Sequence, residues 1–568
     1  MKKRYLSVIL FLFISAVLFS QSVWYVSMET GSDANDGRSP STPFYSVDYA
    51  VGFLQPCDTL YFMGVFVNDN YIDGYSFSGD INDPHIWLSE NTVKISGLHG
   101  TAGCYSTLKA YDSTTILKGD GANIFRMLSC SYVCIDGFEV IGEVDHIPLS
   151  TAKALQFLYR DPVTNEVLYR VPPGTPDDEI EEMSFPVLGS VKRPEYTNTR
   201  GIYLSNVDHI KITNNIIHHT PGGGLRVSYC EYVDITGNKI HDCSRKSYAG
   251  THAMVVTKAV SSNAIDDYKI NISQNEVYYN YNEIYSWSPF KSFIHTRIDE
   301  GKGISLQRND MAEWTHGRFL VENNVCYWNG FSGIHTNAGK RMDFINNTCF
   351  YNSYTNTVTY AGGEQMGKNI GMSAQMSDDI KFINNIIYID NGWGGFPLSI
   401  DVATGFEVMD NMIFGDGGPL LQDEDVKAIQ INTTIADPLF VNPGNYDFNL
   451  KSQSPAVGLS NKDYAPAVDF FGKTRDANPD LGAIEYDPSV NNVSVVNSEF
   501  AVYPNPFQSV IYITGSGSYH KVALYSVSGQ MVFSGENMAT PFILNLAYLK
   551  SGVYILWLDG SSRKVVKC

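Results

Sequence analysis

The 568-residue sequence lacks the positive charge of a nucleic-acid-binding protein. It contains 40 Lys and Arg residues against 60 Asp and Glu residues, which gives a formal net charge of −20. Binding to nucleic-acid phosphates requires a basic surface, so this balance argues against nucleic acid as a partner. It does not exclude an anionic substrate, because a local basic groove can lie on an acidic protein.

Long hydrophobic runs are missing beyond the N-terminus. Lys2, Lys3 and Arg4 precede an apolar run over residues 6–19, which is the pattern of a secretory signal peptide over residues 1–20. No later uninterrupted apolar stretch is long enough to span a membrane. We therefore expect an exported mature chain without a transmembrane segment.

The nine cysteines do not show the pattern of a disulfide framework, because their number is odd and they are spread over a large chain. They also lack a CxxC pair or a histidine at ligand spacing, which argues against a zinc site. Cys326 and Cys349 occupy the same position in consecutive repeats. This favours a buried stack of small apolar thiols and leaves a disulfide between them open.

Long helix-forming runs are also scarce, and aromatic residues make up 13% of the chain, which is typical of an all-β protein. The sequence contains a recurring motif rather than helical periodicity. "FLVENNVCYW" and "MDFINNTCFY" place Asn324 and Asn347 at a spacing of 347 − 324 = 23 residues, and Asn215 and Asn238 share this spacing. A repeat of this length with strand-like alternation predicts a stacked β-solenoid. We interpret the repeated Asn as a structural ladder between coils.

The repeat predicts a parallel β-helix over residues 21–486. The apolar spacing within residues 45–54 predicts a short helix that covers the open end of the first coil. An acid- and proline-rich insertion near residues 143–200 interrupts the coils, either as a functional or mobile loop or as a solvated excursion. A polar linker over residues 487–499 then leads to a small β domain over residues 500–568.

The small domain resembles the C-terminal sorting domain of type IX secretion in Bacteroidetes. The residues that carry the resemblance are Tyr503-Pro504-Asn505-Pro506, Leu524-Tyr525 with Gly529-Gln530, Leu549 with Ser551-Gly552-Val553-Tyr554, and the basic residues Arg563, Lys564 and Lys567. The resemblance implies a β-sandwich that engages the type IX secretion machinery. It also implies export through the outer membrane, so the chain is expected to be secreted or displayed at the cell surface.

The larger part of the chain, residues 24–486, resembles secreted right-handed parallel β-helix proteins of the pectate-lyase-like (pectin lyase-like) superfamily. The resemblance lies in an opening with "YVS", "GSDANDG", "SPSTPF" and "DTLYF", and in a closing segment with "DPLF", "SPAVGLS" and "DLGAIEY". It implies an all-β, right-handed parallel β-helix and a carbohydrate-active protein. The superfamily includes lyases, hydrolases, epimerases and non-catalytic adhesins, so the fold does not determine the reaction.

One strand recurs in each coil, and its side chains alternate inward and outward. Alignment of the coils predicts the outward pairs Tyr203/Ser205, Arg226/Ser228, Val255/Thr257, Ser305/Gln307, His335/Asn337, Gly371/Ser373 and Ser399/Asp401. A long polar face suits an extended glycan, and local cations in an acidic protein indicate an acidic, uronate-containing polysaccharide. The predicted substrate-binding residues are Tyr203, Arg226, His252, Lys258, Gln307, Asn337 and Arg341.

The favoured activity is that of a polysaccharide lyase, a carbon–oxygen lyase that acts by β-elimination. In this reaction a base removes the proton α to a uronate carboxylate, and positive groups neutralise the charge that develops. Lys302, Arg308 and His335 fall on adjacent coils and are the predicted catalytic residues. Ca²⁺ is a possible cofactor, with Asp299 and Glu300 as candidate ligands, although Asp299 can equally cap the turn. No other cofactor is expected.

Two further functions stay open at the level of the sequence: a glycoside hydrolase in the same groove, and a non-catalytic glycan-binding or surface structural protein. Hydrolysis needs two carboxylates on either side of the scissile bond. The candidates are Asp299, Glu300 and Asp401, but Asp401 lies several coils from the other two. In each case we expect a monomer.

Overall fold

The computed structural model describes residues 21–568 except 78, 162, 173, 177–178, 180–192, 285–299, 354–368, 390–394, 402–403, 416–428, 490–499, 506, 516–517, 527–530, 559–560 and 568. The predicted signal peptide, the candidate ligand Asp299 and most of the predicted linker lie outside the described residues. Among the described residues, no helix has the length and hydrophobicity needed to cross a membrane.

Successive coils stack their strands in parallel and form three faces, which we call sheets 1, 2 and 3. Sheet 1 contains Val93–Ser96, Asn123–Leu128, the first halves of Arg200–Thr213 and Leu225–Thr236, Met254–Thr257, Ile304–Gln307, Ile334–Asn337, Asn369–Gln375 and Gly395–Asp401. The predicted all-β fold with a parallel β-helix is thereby confirmed.

Sheet 2 follows sheet 1 along each coil. It contains Val23–Val26, Thr59–Phe62, Ser106–Ala110, Ser131–Asp136, the second halves of Arg200–Thr213 and Leu225–Thr236, Tyr268–Ser273, Arg318–Glu322, Lys340–Ile345, Asp378–Ile383, Thr404–Met409 and Ile429–Ile431. Because Arg200–Thr213 and Leu225–Thr236 run through both faces, sheets 1 and 2 form one 19-stranded hydrogen-bonded sheet in the described part of the chain.

Sheet 3 closes each coil with a short strand. Its strands are Val65–Phe66, Ile116–Lys118, Glu139–Ile141, Ile216–His218, Lys239–His241, Glu276–Tyr278, Val325–Tyr327, Thr348–Phe350, Ile386–Tyr388, Met412–Phe414 and Thr434–Ile435. Alternate residues of all three sheets point into the coil and stack in register. Ile202, Leu225, Met254 and Ile304, for example, are buried one above another.

The repeated Asn residues form the predicted ladder at the corner between sheets 2 and 3. Each donates from its backbone N–H and its Nδ2 to the Oδ1 of the next, at 2.9–3.1 Å, through Asn215, Asn238, Asn275, Asn324, Asn347, Asn385 and Asn411. The ladder satisfies buried backbone groups at a corner where the strands cannot pair them. A second ladder, which the sequence analysis did not identify, joins Asn280, Asn329 and Asn352.

The cysteines divide into one disulfide and several buried thiols. Cys326 and Cys349 pair in register as buried free thiols, which confirms the buried-stack interpretation and excludes a disulfide between them. Burial and the neighbouring Cys349 thiol raise the pKa of Cys326. Cys57 and Cys104 form a disulfide, which the spacing of the cysteines did not predict.

The open end of the first coil is covered by the α-helix Val47–Val51, as predicted. Ala50 and Leu54 are buried against the first strands. The insertion near residues 143–200 contains the 3-10 helix Val144–His146, the α-helix Leu149–Leu155, the hairpin Leu158–Arg160 with Val167–Tyr169, and the 3-10 helix Glu195–Asn198. With the 3-10 helix Pro84–Trp87 it forms a small apolar cluster around Phe77, Ile86 and Tyr196.

The closing segment packs along the corner that carries the Asn ladder. It contains Phe440–Asn442, the 3-10 helix Pro443–Asn445 and Asp447–Leu450. Asn323, Asn346 and Asn384, each in the left-handed backbone region, donate to carbonyl groups of this segment.

The C-terminal domain contains two antiparallel sheets around a core of its own. One sheet contains Phe500–Tyr503, Val510–Gly515 and Phe542–Asn545; the other contains Ser518–Ser526, Met531–Ala539, Gly552–Leu558 and Ser561–Lys567. Ile511 and Ile513 of the first sheet and Leu524 and Leu556 of the second share one buried cluster. Tyr503 and Tyr512 also contact Trp328 of the β-helix, with ring centroids 5.4 and 5.2 Å from the indole.

Candidate functional site

The outer face of sheet 1 carries the residues predicted to form the groove. The observed register aligns Tyr203, Arg226, Val255, Ser305, His335, Ser373 and Ser399 in one row, and Ser205, Ser228, Thr257, Gln307, Asn337, Gln375 and Asp401 in the next. The predicted pair Gly371/Ser373 is therefore wrong by two residues. The aligned phrase starts at Asn369 with the strand, but Met372, not Ile370, pairs with Ile334, and a shift of two residues keeps the same side outward.

The central part of this face is covered and does not form the open groove that strand alternation predicted. The side chains of Val255, Ser305, His335 and Ser373 are all buried. One cause is His252, which precedes the strand Met254–Thr257 but reaches Gln307 near the far end of the next strand. Its imidazole thus lies across the outer face of sheet 1, in the space that the prediction from strand alternation left open for a groove.

A buried polar cluster occupies this covered part. Lys302 Nζ donates to Glu300 Oε2 at 2.7 Å, and the same carboxylate oxygen lies 3.5 Å from His252 Nε2. His252 Nε2 and Gln307 Nε2 are 2.7 Å apart in a hydrogen bond. The two predicted catalytic residues in this region are therefore already bonded within the protein: Lys302 to Glu300, and His335 to Ser373 Oγ at 2.7 Å.

Both histidines of the cluster are held in the neutral form. Burial lowers the pKa of His252 well below its ordinary value, and the Lys302 ammonium and Arg226 guanidinium lower it further. Burial and Lys302 do the same for the pKa of His335. A proton on either ring would add a buried charge beside an existing cation. At neutral pH each ring therefore has one unprotonated nitrogen.

A cavity of about 230 Å³ opens beside the cluster. Four cations line it, namely Arg200, Arg226, Lys258 and Arg308, together with His252, Gln307, Thr251 and apolar or small residues. No acidic side chain belongs to this lining, and none of the four cations forms an ion pair with a residue that the structure describes. Burial and the neighbouring Arg200 lower the pKa of Arg226. Within the described part of the chain, the site is thus a concentration of positive charge without ion-pair partners.

The backbone explains where two of these cations lie. Lys258 and Arg308 each follow a strand of sheet 1 and adopt the left-handed conformation, with φ of 56° and 52°. This conformation turns the chain out of the sheet at the same point of successive coils. Lys258 Nζ also donates to the Tyr229 hydroxyl at 2.9 Å, and the Arg200 guanidinium lies 5.9 Å from the centre of the Tyr203 ring.

The structure brings five of the predicted residues together at this cavity: Arg226, His252, Lys258, Gln307 and Arg308. Sequence reasoning missed Arg200 and Thr251, which also line it. Arg200 is the first residue of the strand Arg200–Thr213 and is equivalent in register to His252 and Lys302, and Thr251 comes directly before His252. A search of every such position would have found them.

Three other predicted residues, Arg341, Asn337 and Glu300, do not line the cavity and bind other residues of the protein. Arg341 lies in sheet 2, where it donates to the backbone carbonyls of Gly317 and Trp314 at 2.8 and 2.6 Å, so it does not join the cavity. Asn337 donates to Gln375 Oε1 at 3.2 Å on the outer face of sheet 1. Of the candidate calcium ligands, Glu300 binds Lys302, and Asp299 is not among the described residues.

Two family profiles match the chain. The profile "Right handed beta helix region" matches residues 195–310, and "Secretion system C-terminal sorting domain" matches residues 501–568. A sorting domain of this kind indicates export through the outer membrane, to the cell surface or the medium. No curated protein sequence matches the chain.

Solved structures similar to this chain include several carbohydrate-active proteins. Pectate lyase Pel9A has a TM-score of 0.42 at 12% identity, covering 83% of this chain and 97% of its own. The A-module of mannuronan C-5 epimerase AlgE4 from Azotobacter vinelandii has a TM-score of 0.39 at 12% identity, covering 72% and 95%. A structure titled "Glycoside hydrolase" has a TM-score of 0.42 at 10% identity, covering 73% and 96%.

Proposed function

We propose that this right-handed β-helix protein, which carries a type IX secretion sorting domain at its C-terminus, is a polysaccharide lyase that cleaves uronate-containing glycans by β-elimination. The observation that carries the proposal is the cavity lined by Arg200, Arg226, Lys258 and Arg308, with no acidic side chain among the described residues of the lining. Four cations that have no ion-pair partner among the described residues repel one another, which is costly in an isolated protein. An anionic ligand removes this cost.

The chemistry of the lining favours a sugar carboxylate as that anion. Guanidinium groups bind carboxylates through paired, charge-assisted hydrogen bonds. Thr251 adds a hydroxyl with no hydrogen-bond partner among the described residues, which suits a sugar hydroxyl. Tyr203 and Tyr229 flank the cations and provide flat surfaces for sugar rings.

In the proposed reaction the cations stabilise the charge that develops on the uronate. A base removes the proton on the carbon next to the carboxylate, and the electron pair of that C–H bond forms a double bond to the adjacent carbon. The glycosidic oxygen leaves from this second carbon with its bonding electrons and takes up a proton from solvent. Arg226 and Arg308 stabilise the transition state by binding the carboxylate oxygens as their negative charge grows.

We assign the role of base to His252. Among the described side chains that line the cavity, it is the titratable group that is neutral at neutral pH, because burial and Lys302 lower its pKa. The arginines and lysine of the lining are protonated and bind anions instead. A bound carboxylate raises the pKa of His252 towards its ordinary value and so increases its strength as a base. Gln307 Nε2 donates to the unprotonated Nε2 of the ring and orients it, and the substrate proton takes the place of this donor when Nε2 acts as the base.

This assignment revises the catalytic set proposed from the sequence. Arg308 keeps a place at the cavity as a carboxylate-binding residue. Lys302 acts through Glu300 and His252 and is a positioning residue, as is His335, which lies in the covered part of the outer face and contacts Ser373. Glycoside hydrolysis is less well supported than β-elimination, because its usual mechanism requires two carboxylates and the described lining contains none.

The test is an activity assay on polygalacturonate, alginate and a neutral glycan of similar length. The proposal expects a rise in ultraviolet absorbance from unsaturated uronate products with an acidic polysaccharide and no product with the neutral one. New reducing ends without this absorbance would indicate a hydrolase. Saturable binding of an acidic glycan without products would indicate a non-catalytic glycan-binding protein. Either result would overturn the lyase assignment.

A further inference from the structure

A second cluster of functional groups lies on sheet 3, away from the cationic cavity. The outer row of this sheet is a ladder of parallel rings: His218, His241, Tyr278 and Tyr327, with successive centroids 4.9, 4.8 and 4.8 Å apart. Parallel stacking of equivalent side chains is an expected feature of a β-helix. By itself this row needs no further explanation.

The next residue of each coil forms a second row at the corner of the sheet. His219, Asp242, Tyr279 and Trp328 all adopt the left-handed conformation there, with φ between 52° and 54°. In the coils of Tyr279 and Trp328 this corner carries only aromatic rings. In the two coils before them the positions instead carry an imidazole and a carboxylate, beside the imidazoles of the first row.

These groups approach one another closely enough to share an ion. His219, His241 and Asp242 each offer one ligand atom, and the three atoms lie within 4.8 Å of one another. His241 Nδ1 is 2.9 Å from Asp242 Oδ2, and His218 Nδ1 is 2.6 Å from His219 Nδ1. Ligand atoms on a tetrahedral zinc ion, each about 2.0–2.1 Å from the metal, are about 3.4 Å apart. Small side-chain rotations bring the three atoms to this distance.

We propose that His219, His241 and Asp242 form a binding site for one divalent transition-metal ion of the zinc type. Two imidazole nitrogens and one carboxylate oxygen are ligands that zinc accepts, and they leave a fourth position for water. Harder cations such as Ca²⁺ and Mg²⁺ prefer all-oxygen ligand sets, so the two imidazoles disfavour them.

The surroundings of the cluster suit a bound cation. His219 and Asp242 line a cleft of about 700 Å³, which gives an ion access from solvent. Arg245 lines the same cleft, but its charge is balanced by Asp145 at 3.2 Å and Glu283 at 2.8 Å. Asp145 Oδ2 also lies 3.5 Å from His219 Nε2, where it can accept a hydrogen bond from a ligating ring. Such carboxylate–imidazole contacts orient metal ligands.

The test uses the full chain, purified without a polyhistidine tag and dialysed against a chelator. Calorimetric titration with Zn²⁺ and elemental analysis should both give one ion per chain, and Zn²⁺ should raise the melting temperature. Co²⁺ in place of Zn²⁺ should give the absorption spectrum of a tetrahedral site. His241→Gln and Asp242→Asn should each weaken Zn²⁺ binding at least tenfold and remove the thermal shift.

His209→Gln is the matched control. His209 Nδ1 contacts Asp208 Oδ1 at 2.7 Å, much as His241 contacts Asp242, but its ring is stacked between Tyr132 and Tyr232 instead of another imidazole. This variant should bind Zn²⁺ like the unaltered protein. The proposal would be overturned if the unaltered chain failed to bind one Zn²⁺ ion in the titration. It would also be overturned if His209→Gln weakened Zn²⁺ binding as much as His241→Gln does. The outcome is independent of the lyase assay, because the two sites lie on different sheets.

Discussion

His252 and Gln307 contact each other at 2.7 Å although one precedes a strand of sheet 1 and the other ends the strand of the next coil. The contact carries an imidazole across the outer face of the sheet to the edge of the cationic cavity. It also brings His252 within 3.5 Å of Glu300, which in turn binds Lys302. Residues from separate coils thereby form one connected site, and the following expectations depend on that connection.

Removing a cation from the cavity should weaken the binding of an acidic oligosaccharide. Hydrogen bonds to charged groups contribute about 1.5–3 kcal/mol, so Arg226→Ala and Arg308→Ala should each raise the Kd by roughly tenfold to hundredfold. Binding is measured by calorimetry with uronate oligosaccharides at constant salt. Arg160→Ala, which alters an exposed arginine of the insertion, should leave the Kd unchanged. Unaltered binding in both cavity variants would show that the glycan binds elsewhere.

Replacing His252 should reduce the chemical step more than substrate binding. General-base catalysis contributes about 10²–10⁴-fold, so His252→Gln should lower kcat by that factor with little change in KM. Steady-state kinetics on the active polysaccharide measures both constants. Gln307→Leu should retain part of the activity and shift its pH profile, because it releases the ring without removing it. A His252→Gln enzyme with full kcat would exclude this residue as the base.

The two buried neutral histidines should make the protein less stable in acid. Their pKa values are lowered in the folded state, so below the unfolded value of about 6.5 the unfolded chain binds more protons than the folded chain. The contribution of the two neutral rings to the free energy of unfolding is therefore fully present above about pH 6.5. It is lost as the pH falls towards the folded-state pKa, by at most about 1.4 kcal/mol per pH unit for each ring.

Denaturant unfolding at several pH values between neutrality and mild acid measures this effect. The double variant His252→Gln/His335→Gln should show a shallower decrease in the free energy of unfolding with falling pH, whatever its stability at neutral pH. The exposed substitution Lys462→Ala should leave the slope as it is. An equal slope in the double variant and the unaltered protein would contradict the assignment of these two groups.

Interrupting the Asn ladder should destabilise the β-helix. Asn324 Oδ1 accepts from the backbone N–H and the Nδ2 of Asn275, and its own Nδ2 donates to the carbonyl of Ile272. Asn324→Ala leaves these buried groups unpaired, at a cost of about 1–3 kcal/mol for each lost hydrogen bond. We expect the free energy of unfolding to fall by about 3 kcal/mol in total. The exposed Asn432, which bonds Asp410, provides the matched Asn→Ala control and should cost far less.

Much of the architecture could be predicted because its causes are local. The recurrence of Asn215, Asn324 and Asn347 predicted the stacked coils and the internal ladder, since one residue type repeated at one corner forms the same bonds in each coil. The spacing of apolar residues predicted the capping helix for a similar reason. The disulfide between Cys57 and Cys104 could not be found in this way, because it joins two loops whose meeting depends on the path of the whole first coil.

The sequence by itself determined the β-helix, the separate C-terminal β domain and the concentration of cations near Arg226, His252, Lys258 and Arg308, because strand alternation repeats with each coil. Only the tertiary structure decided which of these residues meet at the cavity, that Arg341 lies in another sheet, and that His219, His241 and Asp242 approach one another. Alternation specifies the side of a strand from which a side chain projects. How far it reaches, and what covers it, depends on the segments between strands, whose lengths differ from coil to coil.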